Sequence, residues 1–245
     1  MANSSSNTDV LYAREITRII TQEEANYLRV ANLILRTGPP VVRVLFDREL
    51  HPAALHVVLN QNKSKILARL KKERIINQNQ WNLLFPIKGK ASSTKFDLTL
   101  MICLIRHLTT IQISDRLPHS NDTNEGADLS RIKFYRNEIV HSDDGILSDT
   151  DFQSYWKDIS QAIARLGGDS YKQVCNDLKV SKLDSTDGEI LKEIRRVNIN
   201  KDFMSRGLIC KYIENIIVIR PCELLSSLGL NRAADIVISR HKLAY

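Results

Sequence analysis

Residues 96–108 (FDLTLMICLIRHL) are apolar around nearly their whole circumference at helical spacing, and the run holds neither glycine nor proline. A helix of that kind needs neighbours on most sides, so the spacing predicts a central buried helix inside a fold built of other helices. The rest of the chain supplies them. Only nine of 245 residues are glycine and six are proline, and 43% are apolar. That is enough for a sizeable core and too much for wholesale disorder. The predicted fold class is all-α. No stretch reaches the roughly 18 uninterrupted apolar residues of a membrane span, so no membrane association is expected.

Breakers and caps divide the chain. Residues 1–15 open on a Ser/Asn/Thr-rich stretch and read as a disordered leader. Thr21 followed by Glu24 predicts a capping box, with Tyr27, Val30, Leu33 and Ile34 as the apolar face behind it. Gly38-Pro39-Pro40 is expected to end that helix and to open a short one over 41–46, with another over 52–59. Trp81 and the run at 83–86 are expected to anchor a core corner. Residues 87–95 read as a loop, and 110–124 as a long polar connection of the kind that is often functional or mobile. A motif helix over 125–141 follows, then one capped by Asp149 or Asp151 and ended by Gly167-Gly168. A domain boundary placed there leaves a helical domain over 16–168 and a smaller helical module over 169–245, of death-fold size.

The net charge of +7 and pI near 9.2 are compatible with nucleic acid without demanding it. Cys103, Cys175, Cys210 and Cys222 lie far apart with no CxxC pair, so a disulfide framework, a zinc site and a RING finger are unsupported. That usage suits a reducing compartment. The first ten residues lack the basic and apolar regions of a signal peptide, and the expected location is cytoplasmic. Neither cofactor nor metal is expected, because no acidic cluster has metal-ligand spacing.

The run Arg136-Asn137-Glu138-Ile139-Val140-His141 carries the chemistry. On a helical wheel Leu129, Ile132, Tyr135, Ile139 and Val140 form one stripe, and Arg136 falls inside it. A guanidinium cannot shed its charge, so at that position it must face a carboxylate, a ligand phosphate or a polar pocket. His141 lies roughly 140° further round and about 7–8 Å further along. The turn at 142–145 suggests that the helix frays there and lets His141 swing; a symmetric dimer would instead bring two copies together. Asn137 would orient either group. Metal-free RNA cleavage needs proton transfer, which imidazole performs near neutral pH, and positive charge on the phosphate, which arginine supplies. The competing reading is a buried ion pair at Arg136 with His141 as an ordinary surface residue.

Residues 63–75 (KSKILARLKKERI) hold six cations and one acid. They read either as a solvated helix face or as a phosphate-tracking surface formed by Lys63, Lys65, Arg69, Lys71 and Lys72, with Arg106 nearby. His107 reads as a satisfied core group or as a lining of the same cleft.

The runs at 44–52 (VLFDRELHP), 62–86, 96–108, 127–141 (ADLSRIKFYRNEIVH) and 152–167 (FQSYWKDISQAIARLG) together make residues 24–168 resemble the HEPN domain of the DAZ-interacting ubiquitin ligase type. The resemblance implies an all-α HEPN-type bundle that is usually dimeric. In HEPN proteins an arginine, a polar residue and a histidine four to six positions on mark a metal-independent ribonuclease site, which implies catalytic roles for Arg136, Asn137 and His141. This chain has one residue fewer before His141 than relatives of this subtype often carry. Ubiquitin transfer in that family belongs to a RING finger, so this chain is not expected to be a ligase by itself.

Two functional readings result. One is a HEPN protein that binds or cleaves RNA in stress or antiviral defence. The other is a non-catalytic scaffold that homodimerises and recruits a protein partner through 169–245, linked to ubiquitin signalling without ligase activity of its own.

Overall fold

The computed structural model describes residues 20–183 apart from Asp143. Among the described residues every regular element is a helix, so the all-α expectation holds. The leader at 1–15 and the segments expected beyond 183 lie outside them.

Helix α1 (Gln22–Asn32) opens with the expected box: Thr21 Oγ1 accepts from the Glu24 amide at 3.3 Å, and the Glu24 carboxylate accepts from the Thr21 amide at 2.9 Å. The helix does not end at Gly38-Pro39-Pro40. Wide π turns over Leu33–Thr37 carry it into α2 (Gly38–Glu49), with the Gly38 amide reaching the Leu33 carbonyl. The prolines lack amide protons, and the wider turn lets their rings enter without breaking the rod.

The separate helices expected over 52–59 and 63–75 are likewise one rod. Helix α3 (Pro52–Asn62) passes through π turns at Lys63–Leu67 into α4 (Ala68–Lys72). Helix α5 (Gln78–Leu84) starts on an Asn77/Gln80 capping box, and Gln80 also donates to Asp97 Oδ2 at 3.1 Å. Asp97 in turn caps α6 (Leu98–Leu108) by accepting from the Leu100 amide.

Helix α6 was expected at the centre. It buries Leu98, Leu100, Met101, Ile102, Leu104 and Ile105 but leaves Thr99 exposed and Cys103, Arg106 and His107 half-buried. Helix α1 is buried more fully, at seven of eleven residues, and so is α7 (Glu125–His141), at ten of seventeen. The polar composition of α7 hides this, because three of the ten are Asp128, Ser130 and Arg131. Helix α8 (Asp149–Gly167) packs along α7. Its cap is Ser148, not Asp149 or Asp151: Ser148 Oγ accepts from the Asp151 amide at 3.1 Å, while both acids sit in the first turn where the helix dipole favours them.

Gly168 adopts φ +84 and turns the chain into α9 (Asp169–Val180). That helix folds back on α8 and buries Cys175. The boundary expected at 168 therefore coincides with a turn between two packed helices.

Close approach fixes one glycine. The connection at 109–124 crosses the first turn of α7, where the Ser114 amide donates to Ser130 Oγ at 2.8 Å and that hydroxyl donates to the Gly126 carbonyl at 2.6 Å. A Cβ on Gly126 would meet the Gln112 carbonyl oxygen at 2.2 Å. Backbone cannot yield as a flexible side chain can, so Gly126→Ala is expected to lower unfolding stability by about 1–3 kcal/mol. Urea denaturation followed by circular dichroism measures this, and an unchanged midpoint would refute the close packing.

Candidate functional site

The wheel of α7 translates directly into burial. Leu129, Ile132, Tyr135, Ile139 and Val140 are each at most 2% exposed, and Arg136 sits half-buried among them. Its Nη1 donates to Asn137 Oδ1 at 3.1 Å, and its Nε is buried. Arginine and asparagine are thus one hydrogen-bonded unit. His141 is exposed, and it is the last residue of the helix. Among the described residues no hydrogen bond or ion pair joins His141 to Arg136.

The expected fraying before His141 does not occur. Tyr27 of α1 donates its buried hydroxyl to the Ile139 carbonyl at 3.0 Å, and the Ser142 amide reaches the same oxygen at 3.3 Å. Further on, Asn26 donates to the Leu147 carbonyl and to Asp149 Oδ1, and the Leu147 amide donates to the Glu23 carbonyl. The return of the chain after His141 is tied to α1, and the Ile139 carbonyl in the last turn of α7 has two donors, so that turn stays helical.

The other end of α7 is held by charge that sequence reasoning missed. Asp128, 1% exposed, accepts from Arg131 at 3.2 Å and from Arg165 Nε of α8 at 2.8 Å, with a second, short bond to Arg165 Nη2. Arg131, also buried, donates to the His119 carbonyl. Asp128 and Arg131 stand at i, i+3, a visible pair, but the sequence gives no sign that Arg165 completes it thirty-seven positions away.

The six cations assigned to phosphate tracking divide into groups. Lys63 lies over the Phe85 ring and Lys71 over the Trp81 ring, each at 4.5 Å from the centroid, and those half-buried rings pack at 4.7 Å. Lys65, Arg69 and Lys72 are exposed. Arg106 forms a bidentate pair with Asp115 at 2.8 Å and 2.8 Å. Lys133 of α7 reaches the same carboxylate. The Arg106 and Lys133 bonds hold the Asp115 carboxyl well below the ordinary carboxylate range. His107 is half-buried beside them. Burial, then Arg106 and Arg69, push its imidazole below the ordinary value, against a weaker pull from Glu73.

Burial pushes the Cys103 thiol up to about 11 and the Cys175 thiol up to about 12, the opposite of an activated nucleophile. Among the described residues no group of His, Cys, Asp and Glu gathers as a metal site, and no helix is long and apolar enough to cross a membrane.

An all-α bundle in which an Arg-Asn pair and a histidine occupy the end of one enclosed helix is the architecture of a HEPN domain. The chain belongs to the DZIP3/hRUL138-like HEPN family, whose sequence model matches residues 52–190. It is similar to the E3 ubiquitin-protein ligase DZIP3 of mouse, at 30% identity over 153 residues, and of human, at 29% over the same length. Each match covers 58% of this chain and 12% of the relative, so the chain spans about an eighth of those proteins. No solved structure matches.

Two measurements probe the supports of the site. Asp128→Ala would strand buried Arg131 beside Arg165 and is expected to destabilise the fold by about 3–5 kcal/mol; a loss under about 1 kcal/mol in denaturant titration would show that the junction is dispensable. Alkaline titration tests Tyr27. Burial raises its hydroxyl above the ordinary value of 10.0, so the associated stability is fully present below that pH and is lost as pH rises toward the folded-state value. Tyrosinate absorbance should therefore show a late fraction that ionises only as helical signal disappears. All seven tyrosines ionising before unfolding would contradict this.

Proposed function

We propose that this HEPN domain binds RNA through the Arg136–Asn137 unit and His141, with Arg136 on a phosphate and His141 as the proton-transfer group of metal-independent cleavage. The observation that carries the reading is the half-buried Arg136 guanidinium, oriented by Asn137 on a helix whose far end is exposed at His141. Low local dielectric strengthens a cation's hold on phosphate. The imidazole lies where it can reach solvent and a ligand. Attack of the 2′-hydroxyl on the adjacent phosphorus, with loss of the 5′-oxygen, would leave a 2′,3′-cyclic phosphate. Lys65, Arg69 and Lys72 would extend the contact along the strand.

The second reading is a non-catalytic, homodimerising interaction module that recruits a protein through residues 169–245. The bond that Arg136 gives to Asn137 of its own helix favours it, since that bond serves packing as well as it serves a ligand. Ligase activity belongs to the names of the relatives and is not proposed for this chain.

Labelled single-stranded RNA, the full chain and EDTA separate the readings. Cleavage predicts EDTA-resistant cutting to a cyclic phosphate and a rate lower by about 10²–10⁴-fold in His141→Ala, with circular dichroism unchanged. Binding alone predicts intact RNA, affinity that falls with salt, and weaker affinity in Arg136→Ala. Absence of both cutting and binding, with a dimer in a sizing measurement, would sink the RNA reading in favour of the scaffold.

A further inference from the structure

Helices α6 and α7 aim two cations at one point. Arg106 Nη1 and Lys133 Nζ both bond to the same oxygen of Asp115, Oδ1, while Arg106 Nη2 takes the other oxygen at 2.8 Å. Without an anion between them the two cations would repel. The convergence is therefore an anion site, and in this fold the chain's own carboxylate fills it.

Three features make Asp115 displaceable and its place reachable by a ligand. The Asp115 side chain is 63% exposed, with Arg106 and Lys133 at 34% and 27%, so solvent screens the pairs and they add little to stability. The backbone that delivers Asp115 is fixed one residue earlier, by the bond from the Ser114 amide to Ser130 and by buried Ile113. The carboxylate can thus swing out without disturbing the bundle. Finally, Lys133 shares a stripe of α7 with Asn137 at i+4 and His141 at i+8. A polyanion lying along that stripe from His141 would arrive at this point, where Arg69, close enough to act on His107, adds a further cation. The fork of a guanidinium that grips a carboxylate grips phosphate oxygens equally well.

We propose that Arg106 and Lys133 form a phosphate subsite for RNA, that Asp115 occupies it as a built-in stand-in for phosphate, and that an incoming phosphodiester displaces Asp115. The subsite rests on the RNA reading above for the source of its phosphate. Asp115 accordingly weakens binding: it is a competing acid in an otherwise basic site.

The test uses the full chain as wild type, Asp115→Asn, Arg106→Gln, and both together, with two probes: labelled single-stranded RNA by anisotropy across a salt series, and inorganic pyrophosphate by calorimetry. Asp115→Asn is expected to bind both probes about fivefold more tightly, the order that one nearby charge is worth in a water-like dielectric. The gain should vanish in the double variant. Should the wild type and Asp115→Asn both ignore RNA while pyrophosphate still shows the Arg106-dependent gain, the RNA reading fails and the phosphate subsite stands with another source. An Asp115→Asn protein no tighter than wild type for either probe, or a gain that persists without Arg106, overturns the subsite.

Discussion

The buried carboxylate of Asp128 is the joint on which the rest of the structure depends. It receives Arg131 from its own helix and Arg165 from α8, and Arg131 passes on to the His119 carbonyl in the connection at 109–124. Three parts of the chain therefore meet at one acid. Charge taken out of water is costly unless every lone pair and proton finds a partner. Here that requirement acts as a register constraint, since a slip of α7 against α8 by one residue would leave a buried ion unmatched. Apolar contacts tolerate sliding; a bifurcated guanidinium–carboxylate bond does not.

With its first half fixed by charge, α7 is fixed in its second half by neutral hydrogen bonds from α1. Tyr27 takes the Ile139 carbonyl, and Asn26 holds the chain that follows the helix by the Leu147 carbonyl. The residues of the site ride on this doubly held rod. Arg136 is set at the edge of the core, bonded to Asn137, and His141 at the solvent end of the same helix. A group held by packing loses little freedom when ligand arrives. The same rod carries Lys133 to Asp115, where it meets Arg106 of α6.

Much of this is legible in the sequence. The stripe of Leu129, Ile132, Tyr135, Ile139 and Val140 was readable because helical period is a local property, and so was the intrusion of Arg136 into it. The Thr21–Glu24 box was readable for the same reason. What misled was treating each breaker by its usual effect. Gly38-Pro39-Pro40 reads as a stop, yet π turns absorb it. Residues 96–108 read as the central helix from composition, yet polar α7 is buried at least as fully, because Asp128, Ser130 and Arg131 find partners in one another and in their neighbours. Composition reports which side chains prefer to be dry; it does not report which polar ones have been paired.

The sequence by itself determined the class of fold and the local chemistry, since helix periodicity, caps and the Arg136–His141 spacing all arise between residues within a few positions of each other. Only the tertiary structure decided how fully polar α7 is buried, that Arg165 rather than a nearby residue completes the Asp128 junction, and that Asp115 sits on Arg106 and Lys133. Those contacts join distant positions, and a charge in a sequence gives no sign of which opposite charge will neutralise it until packing brings the two together.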